Sequence, residues 1–210
     1  MSGDGFIPEG ADSGGAVTGR WLNPKDWPND KDSGGQAVRW RFLSGLSSGF
    51  TGWSGGKPVR APDPSMFTPG LVWDSKEFGG KIKTNTPART WAGFGYCPDS
   101  DEKEIMAMEI TQPSLFEALK GVIAKGWGNP LEYDIILARA KDKKGFLAYS
   151  VSPHPTGKTP LPPDIQAKWD AFKAAGADMS LLYTTGDPFP SAPAASDSGG
   201  NVGAAGDLPF

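Results

Sequence analysis

Between residues 36 and 43 apolar and charged side chains alternate with a period of two: Val38, Trp40 and Phe42 point one way, Arg39 and Arg41 the other. That pattern predicts a half-buried strand with a basic outer face. Residues 50–53 and 57–60 flank Ser54-Gly55-Gly56 and read as a hairpin closed by a short glycine-bearing loop. Residues 90–96 predict a strand with Phe94 and Tyr96 on one face and Trp91 on the other, and 105–110 a further one in which Met106, Met108 and Ile110 share a face. The two can also be a single long bent strand with an excursion between them. The period then lengthens to that of a helix over 113–125, where Leu115, Phe116, Leu119, Val122 and Ile123 form one stripe. Thr111 or Gln112 stands at its cap, Pro113 suits the first turn and Gly126 follows the end. Residues 133–140 and 146–151 flank Lys141-Asp142-Lys143-Lys144-Gly145, a second hairpin with a basic tip. A proline-rich connector over 153–163 leads to a second helix over 163–175 that presents Ile165, Trp169 and Phe172, and 179–183 is a short apolar piece.

Taken in order, these elements run strand, strand, strand region, helix, strand, strand. That is the order of the five-stranded OB barrel, in which one helix joins the third and fourth strands. The expected architecture is therefore mainly β: a five-stranded OB-like barrel with one connecting helix, an extra C-terminal helix and disordered ends. Residues 1–17 and 187–210 are too poor in apolar side chains to repay the entropy of ordering themselves. This leaves 18–186 as the single folded domain, long enough for one independent core.

The total charge of -3 changes meaning once the ends are set aside. Each end holds three acids and no base, so residues 18–186 carry 21 bases against 18 acids. A mildly basic body with acidic ends suits a partner of negative charge. The single cysteine, Cys97, excludes an internal disulfide framework and a cysteine-based zinc site, and fits a reducing cytosol. No signal-peptide pattern and no apolar run of membrane-spanning length occurs, so a soluble cytoplasmic protein is expected.

Several chemistries find no support. His154 is the only histidine and lies between two prolines, and Gly157-Lys158-Thr159 lacks the leading glycine of a phosphate-binding loop. The acids from Asp99 to Glu104 lack the glycine and distal glutamate of a calcium loop and read as a solvated turn. Neither an enzyme nor a cofactor or metal is expected.

The last five residues, Gly206-Asp207-Leu208-Pro209-Phe210, follow a run of Ser, Ala, Gly, Asn, Pro and Asp with a single valine, Val202. They place an apolar ring, a carboxylate and an acid at the tip of a leash, three handles for a docking partner. This ending resembles the C-terminal tip of bacterial single-stranded DNA-binding proteins and the acidic, Phe-terminated tails of phage replication DNA-binding proteins. It is less acidic than they are, with only Asp187, Asp197 and Asp207 after Gly186. The resemblance implies an OB domain that protects single-stranded DNA in replication, recombination and repair in a bacterial cell or phage-infected host. It also implies a tip, Asp207, Leu208, Pro209 and Phe210, that recruits replication proteins and competes for the domain's own DNA groove.

Such a surface needs rings on which bases stack and cations along the phosphates. The candidate rings are Trp53, Trp73, Phe78, Trp91, Phe94 and Tyr96. The candidate cations are Arg39, Arg41, Lys57, Arg60, Lys81, Lys83, Arg89, Lys141, Lys143 and Lys144. An aromatic in a strand is core more often than surface, but eight tryptophans are hard to bury in so small a body. Trp53, beside a glycine-rich turn, ranks first, and Trp73 and Phe78 follow because they lie in a basic loop. The competing expectations are a non-enzymatic protein-interaction or virion-associated OB-like protein, and an RNA-binding cold-shock-like module.

Overall fold

A computed structural model of the chain describes residues 20–22, 27–30, 35–54, 57–67, 76–78, 81–83, 87–141 and 145–190. Within them the strands are β1 (Arg20–Trp21), β2 (Asn29–Asp30), β3 (Gly35–Phe42), β4 (Ser47–Ser54), β5 (Lys57–Ala61), β6 (Lys76–Phe78), β7 (Lys81–Lys83), β8 (Ala88–Tyr96) and β9 (Met106–Ile110). Helix α1 (Pro113–Val122) follows, then β10 (Tyr133–Lys141), β11 (Leu147–Lys158) and helix α2 (Pro163–Ala174). The protein is mainly β, as the alternation predicts. One sheet of nine strands carries the fold, and β6 and β7 pair apart from it.

The main path through the sheet is β1-β9-β8-β3-β10-β11, with β2 on β3, β4 on β8 and β5 on β4. Every pairing is antiparallel except that of β1 with β9. β3 and β4 both pair with β8 and run the same way, so together they make one long strand broken by a bulge. At the break Leu43 N–H and Ser44 N–H both donate to Phe94 O, at 2.9 and 3.3 Å.

The expected closed five-stranded barrel does not form. Closure would join β9 to β11, but the outer edge of β9 is taken by β1, and α1 packs against both strands. The strand pattern at 90–96 and 105–110 resolves into two antiparallel strands rather than one bent one. The proline-rich segment expected as a connector is also strand: β11 continues through Pro153 and Pro155 to Lys158. It is an edge strand, with β10 as its only sheet partner among the described residues, and an edge tolerates proline because the missing donor faces no ladder.

Two cores result. Val38, Trp40, Phe42, Met106, Met108, Ile110, Tyr133, Ile135 and Leu137 meet Leu115, Leu119 and Val122 of α1 inside the curved sheet. On the opposite face of β8 and β9, Ala92, Phe94, Tyr96 and Ala107 meet Ile165, Trp169 and Phe172 of α2 and Met179, Leu182 and Tyr183 of a terminal 3-10 turn. β9 is therefore buried on both faces. Gly95 lies where any Cβ would collide with Arg41 O and the Trp40 ring, and Gly49 where it would enter the Tyr183 ring.

Helix α1 is shorter than its stripe predicts. Its N-cap, Gln112, makes no side-chain capping bond. After Val122 it loosens into a π turn, Ile123–Trp127, in which Gly126 takes φ 90°. Ile123 therefore leaves the stripe and is exposed. Among the described residues no helix is long and apolar enough to cross a membrane.

Candidate nucleic-acid interface

Alternation along β3 sets Arg39 and Arg41 on the face opposite the first core, and the β3–β10 register brings Asp134 beside them. Arg39 Nε and Nη2 donate to Asp134 Oδ2 at 2.8 and 2.6 Å, and Arg41 Nη1 donates to Asp134 Oδ1 at 3.1 Å. Arg41 is closed off further: Nε donates to Leu131 O at 3.1 Å and Nη2 to Thr159 O at 2.6 Å, leaving the residue 2% exposed. Arg39 keeps one donor facing outward, with Nη1 3.1 Å from Asp99 Oδ1. Burial pulls its pKa down, but the hydrogen bond and charge of Asp134, then those of Asp99, outweigh it and hold the guanidinium above its ordinary value.

Arg60 belongs to a second network. Its Nη2 donates to Glu109 Oε2 at 2.7 Å, and its guanidinium lies 5.6 Å from the Trp21 ring centroid. Thr51 Oγ1 donates to Glu109 Oε1 at 2.8 Å, and the Thr51, Thr90 and Tyr183 hydroxyls continue the chain. Desolvation pushes the Tyr183 phenol up to about 12. This network ties β4, β5, β8, β9 and the C-terminal turn together.

The predicted rings divide. Phe94 and Tyr96 are core side chains, packed under α2, which removes them from any stacking surface in this conformation. Burial also raises the pKa of Tyr96. Trp91 is half-buried and stacks on Phe116, with ring centroids 3.6 Å apart and planes 7° from parallel. Trp53 is half-buried on β4, opposite Pro58, and Ser54 pairs with Lys57 at the neck of the predicted hairpin. Arg89 is exposed at the start of β8. The segment holding Phe78, Lys81 and Lys83 contains a two-stranded ribbon, in which Phe78 pairs with Lys81 and Lys76 with Lys83. Trp73, Lys143, Lys144, Asp207, Leu208, Pro209 and Phe210 lie outside the described residues.

The β10–β11 hairpin holds what the sequence reading missed. Lys141 ends β10 in solvent, and Phe146, just before β11, and Leu147, its first residue, are 70% and 55% exposed. An unburied phenylalanine beside a basic turn is a stacking platform by chemistry. Its sequence signal was the order Lys141-Asp142-Lys143-Lys144-Gly145-Phe146-Leu147, in which two large apolar residues follow the turn glycine, itself at φ 83°. The sequence reading takes residues 146–151 only as a strand of the hairpin and counts neither residue among its candidate rings.

A second apolar feature lies at the end of α1. Phe42, Leu46, Leu119, Ile123, Pro130 and Leu131 line a groove of about 240 Å³, with Trp127 exposed nearby. Among the described residues no group of three His, Cys, Asp or Glu side chains is placed to hold a metal ion. In comparisons with protein-family models, curated proteins and solved structures, nothing matches the chain.

Proposed function

We propose that the chain binds single-stranded DNA without sequence preference, as bacterial and phage single-stranded DNA-binding proteins do, and protects it during replication, recombination or repair. The observation that carries this reading is the β10–β11 hairpin, where Phe146 and Leu147 stand exposed beside Lys141. Bases stacking on the ring and phosphates meeting the lysines would give sequence-tolerant binding. The strand order supports it. The path β9-β8-β3-β10-β11, with a helix between β9 and β10, is the OB order opened at the β9–β11 seam. In an OB module the loop between the last two strands is a nucleic-acid loop, and the β10–β11 hairpin holds that place. Because α2 covers the outer face of β8 and β9, the strand would run along the hairpin and the β3–β10 face instead. The residues Asp207, Leu208, Pro209 and Phe210 would recruit replication proteins and weakly compete with DNA.

Fluorescence anisotropy of a labelled dT oligomer tests the reading. Saturable binding that Phe146→Ala weakens about 5- to 100-fold, as loss of a base stack would, supports it. Equal affinity of wild type and F146A would argue that the hairpin is not the interface.

A second reading, a non-enzymatic protein-interaction or virion-associated protein, is favoured by the apolar groove at the end of α1. It predicts that the wild-type chain gives no saturable dT binding, and that Leu131→Asp and Ile123→Asp abolish a protein contact.

A further inference from the structure

Arg39 and Arg41 share one buried carboxylate, Asp134, so the cluster carries one positive charge in excess. The balance comes from Asp99, whose side chain is 67% exposed. The two arginines differ in what remains available. Arg41 is committed to Asp134 and to two backbone carbonyls. Arg39 holds Asp134 through Nε and Nη2, which fixes the guanidinium plane, and turns Nη1 toward a partner in solvent. An exposed ion pair contributes little net, so another anion can replace Asp99 at little cost. The guanidinium itself stays in place when that happens.

The position of Asp99 is set by the fold. β8 ends at Tyr96, paired with Arg41, and the chain turns immediately, with Ser100 N–H donating to Cys97 O at 3.1 Å. Lys168 of α2 reaches Glu102 O at 3.5 Å from the other side. The turn carries Asp99, Asp101, Glu102 and Glu104 against one base, Lys103. An acidic loop is thus laid over the one arginine of the β3–β10 face that still has an outward donor.

We infer that Arg39 Nη1 is a phosphodiester contact for single-stranded DNA and that Asp99 is its resting occupant, an internal acid that the DNA backbone displaces. This rests on the single-strand-binding reading above. Exchange of one oxyanion for another at a prepositioned guanidinium conserves the charge-assisted hydrogen bond. The cost of binding is then chiefly moving Asp99 aside.

The test uses the full chain and a labelled dT oligomer at low salt, with Asp99→Asn, Asp101→Asn, Arg39→Gln and the double variant R39Q/D99N. Asp99→Asn is expected to tighten binding about 2- to 5-fold, the worth of the pair it removes. Asp101→Asn changes the same charge in the same turn and is expected to do clearly less. Arg39→Gln is expected to weaken binding and to lower the slope of log K against log salt by about one. In the R39Q background, Asp99→Asn should bring no gain. Equal effects of D99N and D101N, or a D99N gain that persists without Arg39, would overturn the inference while leaving DNA binding intact. Failure of the wild-type chain to bind dT would instead remove the reading on which it rests. If R39Q loses its fold by circular dichroism, the comparison of D99N with D101N decides alone.

Discussion

Asp134 accepts hydrogen bonds from two arginines while nearly out of contact with water, and the consequence is asymmetric. Removing its charge would leave Arg41 buried without a counter-ion. Asp134→Asn is therefore expected to cost about 3 kcal/mol in urea unfolding, whereas the exposed Asp99→Asn should cost less than about 1 kcal/mol. Tyr183 gives a pH signature. Its folded pKa, about 12, lies above the ordinary value of 10, so the unfolded chain loses the phenolic proton first. Stability from this group is complete below about pH 10 and is lost as pH rises toward about 12. The effect amounts to about 3 kcal/mol at most. Tyr183→Phe should flatten that alkaline limb of a stability profile, and an unchanged limb would place the titration elsewhere.

At the scale of elements, the legible parts were those whose pattern is set by one buried face. The alternation of Val38, Trp40 and Phe42, the α1 positions Leu115, Leu119 and Val122, and the α2 positions Ile165, Trp169 and Phe172 all point into cores as their periods require. Misreading began where burial is two-sided or absent. Phe94 and Tyr96 alternate with Trp91 as a surface-facing row would, but a second layer, α2, covers them, and no local pattern announces which helix packs on which face. The prolines of β11 argued against a strand because period and composition do not reveal an edge. The Arg39–Arg41 row is legible as a face, but its acid is not, since Asp134 comes from a strand distant in sequence. The tight crossing at Gly95 yields a further expectation. Gly95→Ala, forced against Arg41 O and the Trp40 ring, should destabilise by more than about 2 kcal/mol. By contrast F146A, at a site that is 70% exposed, should leave the thermal midpoint almost unmoved. The contrast matters because it separates a binding defect at the hairpin from a folding defect.

At the scale of the whole molecule, a mainly antiparallel sheet carries a hairpin with Lys141 and an exposed Phe146, and the sequence ends in a stretch whose charged side chains after Gly186 are Asp187, Asp197 and Asp207. These parts are electrically opposed, so binding should be sensitive to ionic strength and to the tail. Deleting residues 201–210 is expected to raise affinity for dT, and unchanged or weaker affinity would argue against tail competition. The central claim is single-strand binding itself. It is tested most directly by titrating the chain with a dT oligomer at low salt while following tryptophan fluorescence and the anisotropy of a labelled strand, then adding salt to the complex. The account predicts saturable binding that salt reverses, with log K falling linearly against log salt. A flat titration in both signals at low salt would contradict it and leave a protein contact, at the α1 groove, as the reading to pursue.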